Sequence, residues 1–253
     1  RLRAGRDKFR RWNQGLVEKN IKARDQSGGE ASEEVEAILL SSQRLTDQQA
    51  AAASSSALGS SGVREREAGA WKLALLRAAE KAAGGTGRLL LTAASVQELA
   101  LLVNMMIHLE MAGVRNNSLV LSDQDTHKFL QKRGATSVQY PSSPSNPKVV
   151  TVWHEHKYFA ILELLRQGFD VLWLDVDVLM LIDKEAIWKE VYARPEAHLA
   201  LQKGSKVAGN TSLCSGIGFF KSRDGFAADV IDLAWSFVLD GKHEQEALTL
   251  AIA

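Results

Sequence analysis

The stretch 168–181 reads GFDVLWLDVDVLML and constrains the fold more than any other part of the chain. Within it, Asp170–Leu174 is apolar after its first residue. That pattern suits a central strand covered on both faces. A strand so covered needs helices on either side, and the flanking sequence offers them.

Residues 64–83 show apolar positions near helical spacing, with Trp71, Leu75 and Leu76, and Gly84, Gly85 and Gly87 end the run. Arg88–Ala94 is a short apolar strand. Ser95 and Glu98 form a capping-box pattern for a helix running to about Ala112 and ending at Gly113. Ser118–Ser122 is a second strand closed by Asp123. A helix over 125–133, a short strand over 138–140, a proline-rich loop and a helix over 151–167 follow. Beyond the central strand, 198–202 and 216–220 read as strands, and 224–239 and 244–253 as helices. Strands alternating with helices predict an α/β fold with a mostly parallel sheet, whose ligands sit beyond the carboxyl ends of the strands.

The first 62 residues differ. Residues 1–24 carry nine Lys/Arg against Asp7 and Glu18, which suits a solvated basic tail or a contact with a polyanion or membrane surface. Residues 46–62 are mostly Ala, Ser, Gln and Gly and bury too little apolar surface to offset their ordering entropy. The expected organisation is an extension over 1–62, with one short helix near 35–40, and a folded domain over 63–253. The chain starts at Arg1 and stops at Ala253 inside a helical pattern, so it reads as a fragment truncated at its C-terminus. With 31 Lys+Arg and 30 Asp+Glu, the whole chain gives no support for nucleic-acid binding as the main function. One cysteine, Cys214, excludes an internal disulfide framework and a multi-cysteine zinc site. No apolar run is long enough to span a bilayer.

Asp175 and Asp177 stand where the central strand ends. Residues i and i+2 of an extended chain point to the same side, so both carboxylates are expected in the crevice at the sheet edge. Two such charges repel unless a cation lies beside them. Hard divalent ions take oxygen ligands and share them with substrate phosphates, which makes Asp175 and Asp177 the candidate metal ligands. Ordinary turn carboxylates are the plainer reading, but the chain returns to apolar residues directly after them. Downstream, Cys214, Ser215, Gly216, Ile217 and Gly218 precede Phe219 and Phe220. Glycines there allow close backbone approach to a ligand, or simply mark a glycine-rich strand entry. No His or acid is arranged around Cys214 in sequence, so it reads as a small buried or pocket-lining residue.

From about Leu89 to its end the chain resembles the nucleotide-diphospho-sugar transferases of GT-A fold, in the group that includes plant cell-wall xylosyl- and arabinosyltransferases. The resemblance rests on GFDVLWLDVDVLML, LCSGIGFFKSR, the strands ending at Ala94 and Asp123, the helix holding Lys157, Trp235, and the segment 243–248. It implies a metal-dependent glycosyltransferase that uses Mn²⁺ or Mg²⁺ and a nucleotide sugar, with UDP as the expected nucleotide. The acceptor would be a glycan or glycoprotein, and the anomeric configuration would be retained. By the same resemblance, Asp177 is the direct metal ligand and Asp175 holds the ribose or a metal-bound water. Lys157 and Asp123 approach the nucleotide; alternatively they are an exposed helix lysine and a helix-entry turn residue. Ser215 and Gly216 line the donor side. Glu244 and Gln245 stand where the family has Asp-Gln and are the candidates for the group facing the reacting carbon. A third metal ligand is expected beyond Ala253, and a Golgi membrane anchor, with a lumenal domain, before Arg1. Two other classes fit parts of the pattern. One is a phosphohydrolase with an aspartyl nucleophile; the other is a degenerate transferase-like scaffold that binds without turnover.

Overall fold

The computed structural model describes residues 61–114, 117–141, 152–178, 180, 184–207 and 210–252. The expected tail, the short helix near 35–40 and most of the proline-rich loop lie outside these residues. In chain order the elements are α1 (Ser61–Ala83), β1 (Arg88–Ala94), a 3₁₀ turn (Val96–Glu98), α2 (Leu99–Met111), β2 (Ser118–Ser122) and α3 (Gln124–Lys132). Then come β3 (Ser137–Gln139), α4 (Val152–Arg166), β4 (Asp170–Leu174), α5 (Lys184–Tyr192), β5 (Leu199–Val207), β6 (Asn210–Phe220), α6 (Phe226–Leu239) and α7 (Glu244–Ile252). No helix among the described residues is long and apolar enough to cross a membrane.

The strands form one six-stranded sheet in the order β3-β2-β1-β4-β6-β5. The pairs β3–β2, β2–β1 and β1–β4 are parallel, whereas β6 runs antiparallel to both β4 and β5. The mostly parallel α/β sheet expected for a GT-A fold is therefore present, with β6 as its reversed strand. Its two faces follow from strand alternation. Leu89, Leu91, Val171 and Trp173 face a core completed by α1, α4, α6 and α7. Leu90, Val120, Leu172 and Leu174 face a second core completed by α2, α3 and α5.

Several expectations differ in detail. Ser95 and Glu98 do form a capping box, but it opens a 3₁₀ turn, and α2 begins only at Leu99. Helix α5 was not expected from the sequence. The two short strands read at 198–202 and 216–220 are the paired ends of a longer β5–β6 hairpin. Helix α4 is buried on almost every side: Tyr158, Ala160, Ile161, Leu162, Leu164 and Leu165 are all within 3% of full burial. It lies between the sheet and α1 and α6, which is why its sequence lacks a clear polar face. That enclosure decides the fate of Lys157.

Candidate active site

The parallel strands end on one edge, and the residues read as site candidates converge there. Strand β4 stops at Leu174, and Asp175 N–H donates to Gly216 O at 2.7 Å, continuing the pairing with β6 by one step. A turn follows, closed by Val178 N–H donating to Asp175 O at 2.9 Å. The chain is therefore not extended across the two acids. Asp175 stays half-buried against the sheet and Asp177 is exposed at the turn. The apolar residues between and after them, Val176 and Met180, fold back into the core on the α2–α5 face. This explains a turn that does not look polar in sequence.

Asp175 is held firmly. Its Oδ1 accepts from Trp173 Nε1 at 2.7 Å and lies 3.5 Å from Lys157 Nζ. Gly216 makes the room: a Cβ on it would meet Asp175 Oδ2 at 3.0 Å and Cys214 Sγ at 3.4 Å. Gly218 has a different reason. A Cβ there would stand 2.8 Å from the Phe220 ring, so the space over this glycine is filled by the chain's own aromatic side chain and not by a ligand.

Lys157 is neither an exposed helix lysine nor a surface group. The whole residue is 1% exposed. Its ammonium donates to Ser215 O at 2.8 Å, lies 3.2 Å from Glu244 Oε2, and sits over the Trp173 ring at 4.4 Å. Glu244, the first residue of α7, is also buried; its Oε1 accepts from Ser215 Oγ at 2.8 Å, and its backbone O accepts from Tyr158 Oη at 2.8 Å. Gln245 is exposed, with Nε2 3.9 Å from Cys214 Sγ. The structure thus brings Lys157, Asp175, Ser215, Gly216, Glu244 and Gln245 to one place, with Asp177 at its rim. Asp123 lies at the end of β2 and caps α3: its Oδ1 accepts from Thr126 N–H at 2.9 Å and its Oδ2 from Val96 N–H at 2.8 Å.

No family model matches the chain, and no curated protein matches it in sequence. Solved structures similar to it in backbone include three transferases. The PaToxG glycosyltransferase is 11% identical, with 74% of this chain and 79% of that one aligned at a TM-score of 0.41. The galactosyltransferase LgtC, solved with donor and acceptor sugar analogs, is 15% identical over 64% and 68% of the two chains, with a TM-score of 0.42. A mannose-1-phosphate geranyltransferase from Thermus thermophilus is 12% identical over 64% and 67%, with a TM-score of 0.39.

Burial holds the Asp175 carboxyl above its ordinary value; the nearby Lys157 charge and the Trp173 hydrogen bond offset part of this, and Glu244 and Asp177 add to it by repulsion. Glu98 is also pushed up, first by burial and then by repulsion from Asp175 and Asp123, against hydrogen bonds from Ser95. Its place near the site was missed in the sequence, where it reads only as a cap. The signal that brings it there is the β2-β1-β4 strand order, which no local pattern carries. Among the described residues no group of three or more His, Cys, Asp or Glu side chains converges to hold a metal ion. The donors available are carboxylate oxygens, hard ligands that suit a divalent ion completing its shell with phosphate oxygens. Gly216 lets the Asp175 side chain pack directly against β6, which fixes where that carboxylate stands.

Proposed function

We propose that this chain is a metal-dependent glycosyltransferase domain that takes its sugar from a nucleoside diphosphate, with UDP as the nucleotide. The observation that carries the reading is the exposed Asp177 beside the anchored Asp175, at the carboxyl end of central β4 and against reversed β6. In open α/β sheets that edge is where ligands bind. Asp177 and Asp175 would hold Mn²⁺ or Mg²⁺, whose chemistry there is charge stabilisation of the departing diphosphate. Trp173 Nε1 and Lys157 fix the Asp175 carboxylate so that little reorganisation is needed when the donor arrives. Gln245, exposed at the start of α7, would be the side chain that faces the reacting carbon. Asp123 already accepts two backbone hydrogen bonds, so any nucleotide contact it makes is additional to its capping role.

The finer assignments belong to the same proposal and rest on the sequence resemblance. They are kinship with the xylosyl- and arabinosyltransferase group, retention of configuration, a glycan or glycoprotein acceptor, and a Golgi lumenal setting. Calorimetric titration with UDP, in the presence and absence of Mn²⁺, tests the core of the reading. Binding that requires the metal supports it. Metal-independent binding, or no binding in either condition, sinks it in favour of a scaffold.

A further inference from the structure

We propose that Lys157 and Glu244 form a buried clasp that seats the first turn of α7 on β6 and the end of β4. Both are then positioning residues for Gln245 and Asp175, not contacts to the donor. What the clasp serves rests on the function proposed above; that it holds α7 does not.

The case begins with the ammonium. A lysine has three protons to donate and no acceptor. Three oxygens surround Lys157 Nζ: Ser215 O at 2.8 Å, Glu244 Oε2 at 3.2 Å and Asp175 Oδ1 at 3.5 Å. Its side chain is 2% exposed, and the Trp173 ring covers it at 4.4 Å. The ammonium thus has one hydrogen bond, to Ser215 O, and two carboxylates as charged neighbours, all from the chain itself.

Glu244 is occupied in the same way. One carboxylate oxygen takes the Ser215 hydroxyl, the other faces Lys157, and the backbone carbonyl takes the Tyr158 hydroxyl. Helix α4, strand β6 and helix α7 therefore meet at this one residue. The next side chain, Gln245, is the one that emerges into solvent, beside Cys214. An ion pair this enclosed has a distinctive mutational signature. Removing one partner strands the other charge, whereas replacing both by apolar groups of similar volume leaves folding largely intact.

Cys214 is the one cysteine in the chain, so its reaction with the thiol reagent DTNB reads how tightly α7 sits on β6, with no ligand needed. Three variants serve: Lys157→Met, Glu244→Gln, and the double Lys157→Met with Glu244→Met. The double should melt near the wild type and above Lys157→Met alone. In native buffer, Cys214 should label roughly tenfold faster in the double, through local opening of the α7 junction. Glu244→Gln, which keeps the shape and weakens the pair, should move labelling in the same direction. The double should bind UDP with Mn²⁺ within about threefold of wild type yet release UDP from a panel of UDP-sugars at least tenfold more slowly, a loss in turnover and not in binding.

Wild-type labelling in a folded double variant overturns the clasp. Loss of UDP–Mn²⁺ binding with labelling unchanged overturns it too, and makes Lys157 a ligand contact. If the wild type binds no UDP with Mn²⁺, the proposed function fails, while the labelling and melting comparison still decides the clasp.

Discussion

Replacing Asp177 by Asn keeps the size of an exposed side chain and removes one negative charge from the site. A neutral amide is a poorer ligand for a hard divalent ion. Transfer should fall by roughly 100- to 1000-fold, or about 3–4 kcal/mol. Without metal, the variant should melt at or slightly above the wild-type temperature, because Asp177 repels Asp175. A variant that melts far lower while its folded fraction turns over normally would show Asp177 to be structural. Gly218→Ala tests a different kind of residue. The added Cβ meets the buried Phe220 ring at 2.8 Å, so chemical denaturation should report a loss of about 1–3 kcal/mol. The two aspartates were legible in the sequence because a carboxylate pair after an apolar strand is a local pattern. The setting of Lys157 was not, because its three oxygen neighbours lie just past β4, on β6 and on α7, and no spacing along α4 announces them.

Helix α3 shows how one residue can hold two elements at the site edge. Asp123 caps α3 through Thr126 and also accepts from Val96, which opens the 3₁₀ turn after β1. Asp123→Ala removes both bonds and should cost about 2–3 kcal/mol, adding a lost cap to a lost partly buried hydrogen bond. Asp123→Asn, which can still cap, should recover about half of this in urea unfolding. Most elements could be read from the chain because apolar runs bounded by glycine carry their own boundaries, as at Arg88–Ala94 and Asp170–Leu174. The β5–β6 hairpin could not be read in full. Between Leu201 and Leu213 its sequence is polar and glycine-bearing, and its pairing contains register shifts. Strands that are apolar only at one end look short in sequence, although they pair along their whole length.

At the scale of the whole molecule, acid should act through His156. This residue is 6% exposed, stacked on Tyr140 at 5.5 Å and tilted against Trp71 at 5.0 Å. Burial pulls its ring down to about 4 from an ordinary 6.5, despite a hydrogen bond with the Pro141 backbone. The unfolded chain therefore takes up the proton first. The stability this represents is present above about pH 6.5 and is lost as pH falls toward 4. Between pH 7 and pH 5 the loss should be about 2 kcal/mol. Asp175 and Glu98, both pushed up by burial, work in the opposite sense over the same acidic range. Guanidinium titrations of wild type and His156→Phe at the two pH values separate the contributions, since the phenylalanine keeps the stack and cannot titrate. An equal pH response in both proteins would rule His156 out as the source.

Strand β6 runs against its neighbour β4, so the chain must travel out along β5 and return before Ser215 can meet Asp175. The crevice is built from residues as far apart as Lys157 and Glu244, and α7 closes it last in chain order. Contacts of such long sequence separation are slow to form. During synthesis, β1 to β4 can pair and cover themselves with α1 to α4 while the site is still incomplete. A refolding experiment should accordingly show helical circular dichroism returning ahead of protection at Cys214. On the function proposed above, nucleotide binding would return with the seating of α7 and not with the earlier pairing of β1 to β4, so a binding signal would date the closing of the crevice.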